Sequence, residues 1–194
     1  MCGIAGFWDK TANEHAAVGQ TIFKMLQALG NRGPDSAGVA LYSQQHDGDL
    51  VLRIKLGDSG NLDERGRQIA NRVQAGGCTL GEASTTAEYL RLVIDTPPSD
   101  LRRLEQLIEA EGADIEVVSI GHNLEIIKQV GSPQNLDDTY GIHSVTGTHG
   151  IGHTRLSTES IVDLSHSQPF WAHGHPDLAT VHNGHITNYD KLRR

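Results

Sequence analysis

The chain has 194 residues, enough to bury a sizeable core in one domain or in a domain with a subdomain. Its formal net charge of -8 excludes the concentrated positive field that a nucleic-acid or anionic-membrane surface requires, so a small molecule or a protein is the expected partner. Two cysteines, Cys2 and Cys78, make no disulfide framework. No run of about 18 apolar residues and no charged-then-apolar leader occurs, so a soluble, cytoplasmic protein is expected.

In chain order, "CGIAGFW" predicts a buried strand from Cys2 to Trp8. Ile22, Met25, Leu26 and Leu29 recur as on a helix with one buried face, with Gly30 and Asn31 as its stop. "NRGPDSAG" then reads as a tight loop entering the strand "GVALYS". Leu50, Leu52, Ile54 and Leu56 alternate with Val51, Arg53 and Lys55, which predicts a strand with one wet face, neighbouring "GVALYS" in a sheet. Residues 57–148 are expected to form an inserted α+β subdomain. It holds a helix with Leu62, Ile69 and Val73, the strand "AEYLRLVID", a helix with Leu101, Leu104, Leu107 and Ile108, and the strand "DIEVVSI". After Gly147 the chain turns to Gly, His, Thr and Asn until "TNYDKLRR", as in polar loops that strands position and that carry sites.

A cysteine directly after the initiator methionine becomes N-terminal once that methionine is removed. Its thiol and α-amine then share one residue, and an amine with a pKa of about 7.7–8.0 suits a general base near neutral pH. Taken in isolation, a Met-Cys start reads instead as a small buried hydrophobe. Taken alone, Asn183-Gly184 is a hairpin turn signal, Arg155 a structural or surface charge, and Arg32 a loop-stabilising side chain. Pro34, Asp35 and Gly38 read as loop architecture, and Cys78 as a packing residue. His143, His149, His153, His166, His173, His175, His182 and His185 raise the alternative of a metal-binding module. Their spacings match no standard zinc site and no paired cysteine accompanies them, so no metal is expected.

"MCGIAGF", "NRGPDSAG", "GIGHTRLSTES", "SQPF" and "VHNGHITN" occur in that order within residues 1–42 and 147–194, about half the chain. Together they resemble the class II glutamine amidotransferases, whose glutaminase domain is an N-terminal-nucleophile hydrolase. The resemblance implies an α+β fold, an αββα sandwich around the inserted subdomain. It implies that Cys2 is the nucleophile that attacks the side-chain amide of glutamine and releases ammonia. Asn183, through its amide, and Gly184, through its backbone N–H, would form the oxyanion hole. Arg155 would clamp the α-carboxylate, Thr158 would line the same pocket, and Arg32 would pack close to the nucleophile. His153 and His182 are implied as loop members, and Glu159 departs from the histidine that family members often carry there.

No cofactor is implied. Ammonia would pass to a partner synthase subunit, because the chain has no phosphate-binding loop, dinucleotide fingerprint or iron-sulfur cysteine pattern for a second site. The motifs resemble the glutamate-synthase-like branch more than the asparagine synthetases, in particular the amidotransferase subunit of N-methylglutamate synthase. The family's aspartate for the α-amine of glutamine lies well beyond the Asn-Gly pair, and Asp190 is too close to Gly184 to match it. The resemblance therefore implies a domain incomplete at its C-terminus, with exposed apolar sheet surface and glutaminase activity weak or absent unless the remainder is supplied. A non-catalytic binding or regulatory relative of the same fold is the other reading left open.

Overall fold

The computed structural model describes residues 2–11, 15–43, 49–96, 100–157, 161–184 and 186–192. In chain order the elements are β1 (Gly3–Trp8), α1 (Val18–Leu29), β2 (Ser36–Tyr42), β3 (Leu50–Lys55), α2 (Leu62–Ala75), β4 (Thr79–Thr86) and β5 (Tyr89–Thr96). They continue with α3 (Leu101–Glu109), β6 (Glu116–Gly121), β7 (Leu124–Val130), α4 (Pro133–Tyr140), β8 (His149–Arg155), β9 (Phe170–Trp171), β10 (Ala179–Thr180) and the single turn α5 (Tyr189–Leu192). The fold is α+β. It holds two four-stranded antiparallel sheets, ordered β1-β8-β2-β7 and β4-β5-β3-β6, and a small β9-β10 ribbon.

One face of the first sheet is covered by α1, which buries Val18, Ile22 and Leu26 at four-residue spacing. Met25, expected on that stripe, is 38% exposed because the four-residue spacing rotates it off the buried side. The inner strand β8 falls where polar loops were expected. Its alternation is of glycine with larger residues, so hydrophobic periodicity does not reveal it. A Cβ at Gly152 would meet Ile22 and Leu26 at 3.0 Å, so glycine on this side lets the helix sit close. The intervening His149, Ile151, His153 and Arg155 point to the opposite face, where Ile4 and Trp8 of the neighbouring β1 are exposed. The short α4 begins at a capping box between Ser132 and Asn135, with Pro133 in its first turn.

In the second sheet Leu52 of β3 lies between Leu92 of β5 and Ile120 of β6, on the apolar side covered by α2 and α3. Asn61 caps α2 by accepting from the Glu64 N–H, and Asp100 caps α3 by accepting from those of Arg102 and Arg103. The expectation of one wet face on β3 is overturned: Val51 and Lys55 are 2% and 5% exposed. That face meets β7, the outer strand of the first sheet. Arg53 and Arg91 hold Glu125 at 2.7 and 3.0 Å, the Ile126 N–H donates to Ser119 Oγ, and the Tyr89 hydroxyl donates to the Lys128 carbonyl. Side chains of the second sheet thus satisfy two backbone groups, the Ile126 N–H and the Lys128 carbonyl, on the edge of β7 that β2 leaves unpaired. Burial by itself would raise the Glu125 carboxyl, and the two guanidiniums outweigh it and hold the group below its ordinary pKa.

The strands β2 and β3, expected to be neighbours, lie in different sheets. Residues 57–148 contribute α2, β4, β5, α3 and β6 to the second sheet and its helices, and β7 and α4 to the first. No helix among the described residues is long and apolar enough to cross a membrane.

Candidate functional site

Cys2 directly precedes β1, and Gly3 pairs with Thr154, so antiparallel register brings the cysteine to the C-terminal end of β8. There the Leu156 N–H donates to the cysteine sulfur at 3.3 Å, and the thiol lies 3.6 Å from the Leu156 carbonyl. Asp35 fixes this strand end. Its backbone N–H donates to the Arg155 carbonyl at 3.0 Å, and its carboxylate accepts from the Ser157 N–H at 2.7 Å. Both cysteines are free thiols.

Asn183 reaches the same place from the far end of the chain. Its Nδ2 donates to the Cys2 carbonyl at 3.1 Å across 181 residues of sequence. A carbonyl only accepts, so the amide nitrogen must face the cysteine and Oδ1 must face away. Oδ1 meets His153 Nε2 at 2.8 Å, and that nitrogen therefore carries the imidazole proton. His153 lies on β8, not in a loop as expected, and is 1% exposed. Its Nδ1 is buried with no hydrogen-bond partner among the described residues. Burial pushes the His153 pKa down and the Arg155 charge adds to this, while the bond to Asn183 opposes both. Burial and the Arg155 charge both favour the neutral, singly protonated ring.

Cys2, Arg32, Asn183 and Gly184 line one cleft of about 300 Å³. Arg155 does not line that cleft. It is 7% exposed on β8, and its guanidinium donates to the Ile161 carbonyl at 3.0 Å and to Ser157 Oγ at 3.4 Å. Thr158 lies outside the described residues, as do Glu159 and His185. A larger cleft of about 650 Å³, with Phe170, His182 and Tyr189 among its walls, adjoins the first at Gly184.

Two contacts were not foreseen from the sequence. The side-chain amide of Gln168 accepts from the His182 N–H at 2.6 Å and donates to the His182 carbonyl at 2.9 Å. Gln168 belongs to "SQPF" and His153 to "GHTR", so the motifs marked the positions without marking their roles. Four of the remaining histidines have separate partners: His143 on Asp137, His166 on Asp163, His173 on Glu105, and His149 stacked on Tyr42 at 3.9 Å. Cys78 is buried, and burial pushes its thiol pKa up, as suits an inert packing residue.

No family model matches the chain. Along its whole length it is 39% identical to a protein provisionally assigned as a glutamine amidotransferase in Methanothermobacter thermautotrophicus, of which it covers 64%. It is 32% identical, again along its whole length, to the glutamine amidotransferase-like protein GlxB of Rhizobium meliloti, of which it covers 62%. Over 94 residues, 48% of the chain, it is 35% identical to a glutamine–fructose-6-phosphate aminotransferase of Legionella pneumophila, covering 15% of that protein. The chain thus spans a little under two thirds of the length of the first two relatives.

Proposed function

We propose that the chain is the glutaminase part of a class II glutamine amidotransferase. The observation that carries this reading is the meeting of Cys2, Arg32, Asn183 and Gly184 around one cleft, although the first and last are at opposite ends of the sequence. The names of the two relatives that match along the whole chain support it.

With Met1 removed, the Cys2 α-amine takes the thiol proton as sulfur attacks the side-chain carbonyl carbon of glutamine. The carbonyl oxygen becomes an oxyanion and accepts from Asn183 Nδ2–H and the Gly184 N–H, each such donor being worth about 2.7–4 kcal/mol in the transition state. The carbon–nitrogen bond then breaks, the protonated amine returns its proton to the leaving nitrogen, and ammonia departs. Water, deprotonated by the same amine, hydrolyses the γ-glutamyl thioester to glutamate and restores the thiol. Arg155 is the residue assigned to the substrate α-carboxylate, since a planar guanidinium matches a carboxylate bidentately, and to reach the cleft it would have to turn away from Ile161 and Ser157. Arg32 adds positive charge at the rim of the cleft. Ammonia passes to a synthase partner of the glutamate-synthase-like type.

The test is ammonia release from L-glutamine by the wild-type chain and by Cys2→Ala. Release that depends on the thiol supports the reading, and equal release by both proteins refutes it.

A further inference from the structure

We propose that His153 and Gln168 are positioning residues that jointly aim the Asn183–Gly184 donor pair at the Cys2 cleft. The inference rests on the glutaminase reading and assigns what holds its oxyanion donors in place.

Residues 181–184 belong to no helix or strand, so no hydrogen-bonded ladder fixes them. Oxyanion donors nonetheless have to stand within about 0.5 Å of their productive position. Gln168 supplies the missing constraint on the main chain. Its amide grips both the N–H and the carbonyl of His182, the residue just before the pair, as a single rung of a strand would. His153 supplies the constraint on the side chain. Its Nε2–H occupies Asn183 Oδ1 and so keeps Nδ2 toward Cys2. A flipped amide would present oxygen to the developing oxyanion and would place two acceptors against each other at the Cys2 carbonyl. Both anchors are themselves held. His153 is a buried residue of an inner strand, and the Gln168 backbone lies directly over Gly38 of β2. Both act through residues 182 and 183.

The test is steady-state glutamine hydrolysis by the full chain and its variants. His153→Phe keeps the ring volume and loses the donor. It should lower kcat about 100-fold, the scale of one lost oxyanion donor, with KM within about 3-fold. His153→Gln restores an N–H and should recover at least about 10-fold of that loss. Gln168→Ala should lower kcat in the same manner. In an Asn183→Ala background, His153→Phe should cost less than about 3-fold, because the amide it aims is gone. Fully additive losses, or His153→Gln as impaired as His153→Phe, would overturn the proposal. Independently of turnover, ¹⁵N NMR of the imidazole should show His153 neutral with its proton on Nε2 at about pH 7 to 8. A proton on Nδ1 would overturn the geometry even if hydrolysis were normal. Ammonia release from glutamine that persists undiminished in Cys2→Ala would instead sink the glutaminase reading, with the NMR result still deciding the His153–Asn183 contact.

Discussion

Replacing Gly38 by alanine tests how the sheet supports the candidate site. The added Cβ would stand 2.2 Å from the Gln168 carbonyl oxygen and 2.8 Å from the Lys128 Cβ. An ordinary carbon–oxygen contact is about 3.3 Å, so the Gln168 backbone has to retreat by roughly 1 Å. Overpacking of this kind costs about 1–3 kcal/mol. The same retreat would carry the Gln168 amide out of range of His182, whose two bonds to it measure 2.6 and 2.9 Å. Urea unfolding followed by circular dichroism, with ammonia release from glutamine on the folded variant, reads both effects. Gly38→Ala should lose about 1–3 kcal/mol and at least about 10-fold in kcat. Gly6→Ala, whose Cβ would meet nothing nearer than 3.9 Å, should stay within about 0.5 kcal/mol of wild type. Wild-type stability and kcat in Gly38→Ala would refute the reasoning.

Glu125→Gln leaves Arg53 and Arg91 sharing a neutral acceptor in a mostly buried place and should destabilise the chain by about 3 kcal/mol in urea, while a change under about 0.5 kcal/mol would contradict the buried-triad account. Acid should weaken the fold in a defined direction. Arg65 holds the Asp114 carboxyl down at about 2, and Glu125 is held low by its two arginines against the opposing effect of burial. These folded-state values lie below the unfolded ones, so the stability they contribute is complete above about pH 4.3 and is lost as pH falls through the folded values. Urea midpoints that rise on going from neutral pH to about pH 3 would contradict this. Arg155→Lys should raise the KM for glutamine at least about 10-fold with a smaller change in kcat, because an ammonium cannot form the forked carboxylate contact; an unchanged KM would remove Arg155 from substrate binding.

Periodicity was legible wherever one element buries one face against another. The strand β1, the helices α1, α2 and α3, and the strands β5 and β6 all occur where the apolar spacing predicts them. It was silent where packing is long-range or supplied by backbone. The strand β8 is inner and buried, yet its glycines and histidines carry no apolar alternation. The exposed face of β4 leaves "TLGEASTT" without an apolar stripe, and α4 is too short to show a period. The dry second face of β3 depends on β7, some 70 residues later, which no local window contains. At the candidate site the motifs mark Cys2, Arg32, Asn183 and Gly184, which meet at one cleft. The His153–Asn183 bond escapes a sequence reading because its meaning is a proton on one nitrogen, set by a partner 30 residues away.

The central claim is that sulfur at position 2 forms a covalent bond to the side-chain carbonyl carbon of glutamine. Rapid acid quenching during glutamine turnover, followed by mass spectrometry of the N-terminal peptide, measures it directly. The account predicts a peptide that begins at Cys2, lacks Met1, and carries one γ-glutamyl group that hydroxylamine removes. Cys2→Ala should carry none. Ammonia release from glutamine by a chain that retains Met1 in full and shows no adduct at Cys2 would contradict it.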